Sequence, residues 1–165
     1  MGVSGTGKTV VGRAVAEAMG FEFIEGDKHH PQANIDKMSA GTPLDDDDRR
    51  PWLEELAAIL QENRTRGTGS VLACSSLKRS YRDILRGDAP PDATFFLHLD
   101  LPQDILLKRM QSREHFMPAS LLQSQLDTLE PLGADEHGSA LDHDDPLPQV
   151  VDDAVKLVRE AGHTD

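Results

Sequence analysis

The residues best equipped for chemistry stand at the front of the chain. Gly2-Val3-Ser4-Gly5-Thr6-Gly7-Lys8-Thr9 satisfies every fixed position of G-x-x-x-x-G-K-[ST]. Glycines at these positions let successive backbone N–H groups turn inward around phosphate oxygens without Cβ clashes. A helix entered near Lys8 adds the positive end of its dipole, the Lys8 amine reaches the terminal phosphates, and the Thr9 hydroxyl is placed for Mg²⁺. The octet is therefore the expected site for ATP. A rival pattern shares it: Met1-Gly2-Val3-Ser4-Gly5-Thr6 also matches M-G-x-x-x-[ST], the N-myristoylation signal. That pattern fixes fewer positions, and acylating Gly2 would bury the first turn of the phosphate loop in lipid.

Other candidates lie further along the chain. Asp27 comes three residues after the apolar Ile24, where a carboxylate just past a strand can orient an acceptor hydroxyl and take its proton; the bland alternative is a helix cap. His29 and His30 are adjacent, a poor arrangement for one metal ion and a better one for sugar hydroxyls or a polar loop. Asp45-Asp46-Asp47-Asp48 lacks the spacing and glycine of a calcium loop and reads as capping for a helix entered at Pro51, with pairing to Arg49 or Arg50. Cys74, the one cysteine, reads as a small packed hydrophobe. Lys78 and Arg82 stand four apart, as do Arg109 and Arg113. On one helix face the first pair could clamp a carboxylate or merely be solvated. The second, next to His115-Phe116-Met117-Pro118, could close over a transferring phosphoryl group or pair with a helix C-terminus.

The elements that must position these groups are legible as alternating periods. Lys8 to Met19 has helical spacing with Gly20 as a stop, and Phe21 to Ile24 reads as a strand. Helices are expected from Pro31, Pro51, Leu77, Pro102 and Pro118, and a last one from about Pro148 to Ala161. Further strands are expected at Ser70–Cys74, Thr94–Leu99 and, weakly, Ser139–Asp142. Such alternation predicts one α/β domain over residues 1–165, a parallel sheet covered on both faces. A phosphate loop should follow a strand, and before Gly2 stands only Met1. The expectation is that the working protein carries roughly ten or more residues upstream of Met1, and that Gly2 emerges from a slot between the strands holding Val71-Leu72 and Phe95-Phe96.

Composition narrows the partners. The net charge is −12, from 17 Lys plus Arg against 29 Asp plus Glu, which disfavours nucleic acid and anionic lipid. The bases cluster between Lys78 and Arg113, whereas Asp127 to Asp153 has none, so a small anionic substrate fits better than a polymer. No apolar run approaches a membrane span, no secretory signal is evident, and a single cysteine suits a reducing cytoplasm.

Several blocks together resemble the gluconokinase family, of the thermoresistant type. They are the phosphate loop; Gly26-Asp-Lys-His-His-Pro31 with Asn34 and Lys37-Met38; Pro43-Leu44 and Asp48-Arg-Arg-Pro-Trp-Leu53; Ala73-Cys-Ser-Ser-Leu-Lys78 with Tyr81-Arg82-Asp83; and His115-Phe-Met-Pro118 running through Leu121-Leu122 and Ser124-Gln125 to Glu130. The resemblance implies transfer of the γ-phosphoryl of ATP to the 6-hydroxyl of D-gluconate. It implies the P-loop fold of shikimate and adenylate kinases, with strand order 2-3-1-4-5, a lid over about 113–125 and a substrate segment over about 27–53. By matched motif, Asp27 would be the base or orienter; His30, Arg49, Lys78 and Arg82 would be candidates for gluconate; Arg109 and Arg113 would belong to the lid. A homodimer is the family's common state. The alternatives are a kinase for another small hydroxy acid such as shikimate, or an inactive nucleotide-binding regulator.

Overall fold

A computed structural model describes residues 1–111, 121–142 and 144–163. Helix α1 (Lys8–Met19) has the expected bounds and leads into strand β1 (Glu22–Glu25), a single 3₁₀ turn (Gly26–His29) and α2 (Gln32–Ser39). Helix α3 (Asp46–Thr65) precedes β2 (Ser70–Ala73) and α4 (Arg79–Arg86). Then come β3 (Phe96–Asp100), α5 (Gln103–Gln111), α6 (Leu121–Thr128), β4 (Gly138–Asp142) and α7 (Leu147–Glu160).

Among the described residues all strand pairing is parallel, as the alternation required. β1 lies beside β2 with Glu22 opposite Ser70, and β3 lies beside β4 with Phe96 opposite Gly138. Side chains of one strand point alternately to two helical layers. Val71 joins Val11, Val15 and Met19 of α1 and Val150 and Ala154 of α7. Its neighbour Leu72 packs instead with Trp52, Leu53 and Leu56 of α3 and Leu85 of α4. The result is helices on both faces of the strands.

The two ladders meet at the chain's first residues. The Met1 amine donates to Leu97 O at 2.5 Å, Leu99 N–H donates to Met1 O at 3.0 Å, and Gly2 N–H donates to Ser75 O, just past β2, at 3.1 Å. In the order 2-3-1-4-5 the four strands hold positions 2, 3, 4 and 5, with Met1 and Gly2 at position 1. A cavity of about 450 Å³, lined by Val71 and Leu72 on one side and Phe96 and Leu97 on the other, separates β2 from β3.

The starts of α3 and α4 differ from expectation in ways that bear on the site. α3 begins at Asp46, not Pro51, because Asp45 and Asp48 form a reciprocal capping box: Asp48 N–H donates to Asp45 Oδ1 and Asp45 N–H to Asp48 Oδ2, each at 2.9 Å. Pro51 therefore lies inside the helix. The aspartates also choose other partners than Arg49 and Arg50: Lys37 donates to Asp48 at 2.5 Å, and Lys78 to Asp46. α4 begins at Arg79 with Lys78, in extended conformation, as its N-cap. Among the described residues no helix is long and apolar enough to cross a membrane.

Candidate functional site

The phosphate loop is closed on itself by its own side chains. Gly5 and Gly7 have φ of 88° and 84°, left-handed values at which a side chain would be strained. Such values let the loop backbone turn sharply ahead of α1. Thr6 Oγ1 and Lys8 Nζ both donate to Val3 O at 3.0 Å, so the Lys8 side chain arches back along the loop. Burial pushes the Lys8 amine pKa down, and Asp27 is the strongest of the charges that pull it back up. Lys8 and Asp27 thus interact through charge, although they come from different elements. Thr9 is exposed at the start of α1, a hard oxygen donor of the kind Mg²⁺ takes.

Asp27 sits in the 3₁₀ turn after β1, at the carboxyl edge of the strands where ligands bind in open α/β sheets. Its side chain is 38% exposed, and His30 Nε2 lies 3.9 Å from Oδ1. His30 is buried and stacks on Trp52, with ring centroids 3.9 Å apart at 21°. Burial lowers the His30 pKa to about 4, with Asp27 opposing the shift and Arg49 adding to it, so the ring is neutral at pH 7. With Asn34 Nδ2 donating to Nδ1 at 3.4 Å, the neutral ring carries its proton on Nε2, on the Asp27 side. Trp52 is itself fixed by an indole N–H bond to Gly26 O at 2.8 Å. The turn bearing Asp27 is therefore bolted to α3.

α3 and α4 also bring three donors together. Arg49 is 8% exposed, and its Nε donates to Leu44 O at 3.3 Å. Its guanidinium and the Lys78 amine each lie 5.5 Å from the centroid of the Tyr81 ring. Lys78 Nζ and the Tyr81 hydroxyl both donate to Asp46 Oδ1, the former at 2.9 Å. Ser76, in the turn between β2 and Lys78, has φ of 49°, a strained value for a residue with a side chain.

Arg82 does not join this group. It is fully buried, and all three of its guanidinium nitrogens donate: Nε and one terminal nitrogen grip Glu136 at 2.6 and 2.8 Å, and the remaining bonds go to the carbonyls of Ser76, Leu77, Glu130 and Pro131. The expected clamp of Lys78 with Arg82 fails because Lys78 is the cap and lies outside the helix, so the four-residue spacing does not put the two on one face. Arg109 is half-buried in the last turn of α5. Arg113 and the His115–Pro118 block lie outside the described residues. Cys74 is buried as expected, and burial pushes its thiol pKa up.

Three contributors escape sequence reasoning. Trp52 reads in the sequence only as part of a family block, yet it is the platform under His30. Asp46 reads as capping or as a partner of Arg49 or Arg50, not of Lys78 and Tyr81. Gln125 of α6 accepts from the Ser4 N–H at 2.7 Å, which ties α6 to the phosphate loop across 121 residues. No spacing rule could have found that bond.

Known proteins resemble this chain. A family model described as shikimate kinase matches residues 4–141. The chain is 56% identical over 137 residues to a gluconokinase of Gluconobacter oxydans, covering 82% of this chain and 76% of the relative. Among solved structures, a sugar kinase from Janibacter sp. HTCC2649 superposes with a TM-score of 0.90 at 48% identity, covering 96% of this chain and 91% of the other. A gluconokinase from Sinorhizobium meliloti superposes with a TM-score of 0.81 at 51% identity, covering 98% and 91%.

Proposed function

Because the chain belongs to the gluconokinase family, we propose that it transfers the γ-phosphoryl group of ATP to the 6-hydroxyl of D-gluconate, giving 6-phosphogluconate and ADP. The observation that carries this reading is the meeting, at one carboxyl edge, of a phosphate loop, a carboxylate and a cationic wall. The Gly5–Thr9 backbone and Lys8 hold the β- and γ-phosphates. Asp27 accepts the proton of the 6-hydroxyl as its oxygen bonds to the γ-phosphorus and the bond to the β,γ-bridging oxygen breaks. His30, neutral and flat on Trp52, offers its Nε2–H to an acceptor hydroxyl or to Asp27. Lys78 and Arg49 face the gluconate carboxylate, with Tyr81 as a further donor.

Mg²⁺, when bound at the Thr9 hydroxyl, neutralises charge on the phosphate oxygens. Arg109, at the end of α5, is assigned to ATP, and Arg113 to a lid over about 113–125 that closes on the transferring group. The segment 27–53 is the acceptor-binding part of a single kinase domain. Arg82 is reassigned from acceptor binding to support of the Ser76–Lys78 turn.

A coupled ADP-release assay across gluconate, shikimate and other sugar acids tests the reading. Turnover that depends on gluconate and is at least about tenfold more efficient than with the other acids supports it. ATP hydrolysis indifferent to gluconate refutes it.

A further inference from the structure

Asp46 is the first residue of α3, yet its side chain takes no part in the cap, which Asp45 and Asp48 complete between themselves. The Asp46 carboxylate turns across to α4 instead. There a single oxygen, Oδ1, accepts from both Lys78 Nζ and the Tyr81 hydroxyl. These two bonds, with Lys78 and Arg49 charges behind them, hold the Asp46 pKa below the usual carboxylate range. The side chain is nevertheless 60% exposed, at the rim and not in the core. Donors that converge on one exposed carboxylate are also the donors that a carboxylate on a ligand would need.

Resting on the reading of Lys78, Arg49 and Tyr81 as the acceptor's carboxylate site, we propose that Asp46 is a resident stand-in for that carboxylate, which the acid group of the incoming substrate displaces. The exchange replaces charge-assisted bonds by others of the same kind, so a sugar acid enters at little net cost. A neutral sugar of the same length must break the Asp46 bonds without replacing them, or leave the cationic wall occupied. Asp46 thereby lowers affinity for every acceptor that uses this wall and penalises most those that bring no anion. It is a specificity-determining residue that acts by competition.

The opposite role, in which Asp46 orients Lys78 for the substrate, predicts the opposite sign. KM for gluconate and calorimetric Kd are measured for the wild-type chain, Asp46→Ala, Lys78→Met and the double variant. The stand-in predicts that Asp46→Ala lowers both constants about three- to tenfold, the scale of an exposed ion pair plus one hydrogen bond. The rise in kcat/KM is then carried by the gluconate KM, and KM for ATP does not follow. Most of the gain should vanish in the Lys78→Met background, because the contested donor is gone. With gluconate-dependent turnover established for the wild type, an Asp46→Ala KM that rises or stays within twofold overturns this proposal alone. A wild-type chain without gluconate-dependent turnover removes the carboxylate reading and this proposal with it.

Discussion

Replacing Arg82 by Met should cost the fold far more than it costs substrate binding. The Arg82 and Glu136 side chains are 0% and 1% exposed, and their pair is bidentate, at 2.6 and 2.8 Å. Removing the cation leaves a carboxylate in the interior, a change that typically costs about 3–5 kcal/mol. Ser76 O, Glu130 O and Pro131 O also lose a donor, whereas Leu77 O keeps the Glu130 N–H at 2.7 Å. For a chain of this size each kcal/mol shifts Tm by about 2–4 °C, so Tm should fall by roughly 6–20 °C. The double variant Arg82→Met/Glu136→Leu should recover part of that loss but not all, because the carbonyls remain without their donor. The Arg82 bond comes first among the causes that hold the Glu136 pKa below the usual glutamate value. Its contribution is thus fully present above the unfolded glutamate pKa, about 4.3, and is lost as pH falls through the folded value. The wild type should show this acid-side fall in Tm and the double variant should lack it. The assays are thermal melts from pH 3 to 8 and gluconate kinetics well below Tm. An Arg82→Met chain with unchanged Tm and a gluconate KM raised tenfold or more would refute the reasoning and restore Arg82 to the substrate.

Asp27→Asn should lower kcat by about 10²–10⁴ with KM for ATP little changed, as steady-state kinetics at saturating gluconate will show; a loss under tenfold would make Asp27 structural. Lys78→Met should raise KM for gluconate by roughly 10–150-fold, the scale of a bond to a charged group, and KM for ATP much less. Lys8→Ala should abolish turnover while the melting temperature stays within a few degrees, since the Lys8 amine bonds to a loop carbonyl, Val3 O. His30 has a folded pKa of about 4 against an ordinary 6.5, so the unfolded chain binds the extra proton first and stability should decline as pH falls from about 6.5 toward 4. In melts across that window His30→Gln should show a shallower slope, and an unchanged slope would place the titration elsewhere.

The fold was legible because its signals are local and periodic. Val10 to Met19 repeats at helical spacing, and Gly20 stops it; Val71 and Leu72 could face two different helical layers only in a strand covered on both sides. Cap chemistry was the weaker guide. Pro51 looked like the start of a helix because proline suits a first turn, but the Asp45–Asp48 box outcompeted it by satisfying two backbone donors one turn earlier.

The site was legible only where one short motif carried its own geometry. The phosphate loop is eight consecutive residues, so spacing fixes its shape. The proposed acceptor pocket is assembled from the turn at Asp27, the first turns of α3 and the start of α4, and no sequence interval states how those ends face one another. Lys78 and Arg82 show the consequence. The rule that residues four apart share a face holds between residues inside one helix. A helix starting at Leu77 would have satisfied it. The helix starts at Arg79, and the extended backbone of Lys78 sends its amine toward Asp46 on α3 while Arg82 points inward to Glu136. A boundary shift of two residues thus turned an apparent pair of substrate ligands into one rim cation and one buried support. The motif that named the family could not distinguish them, because a buried support and a ligand are written in the sequence with the same arginine.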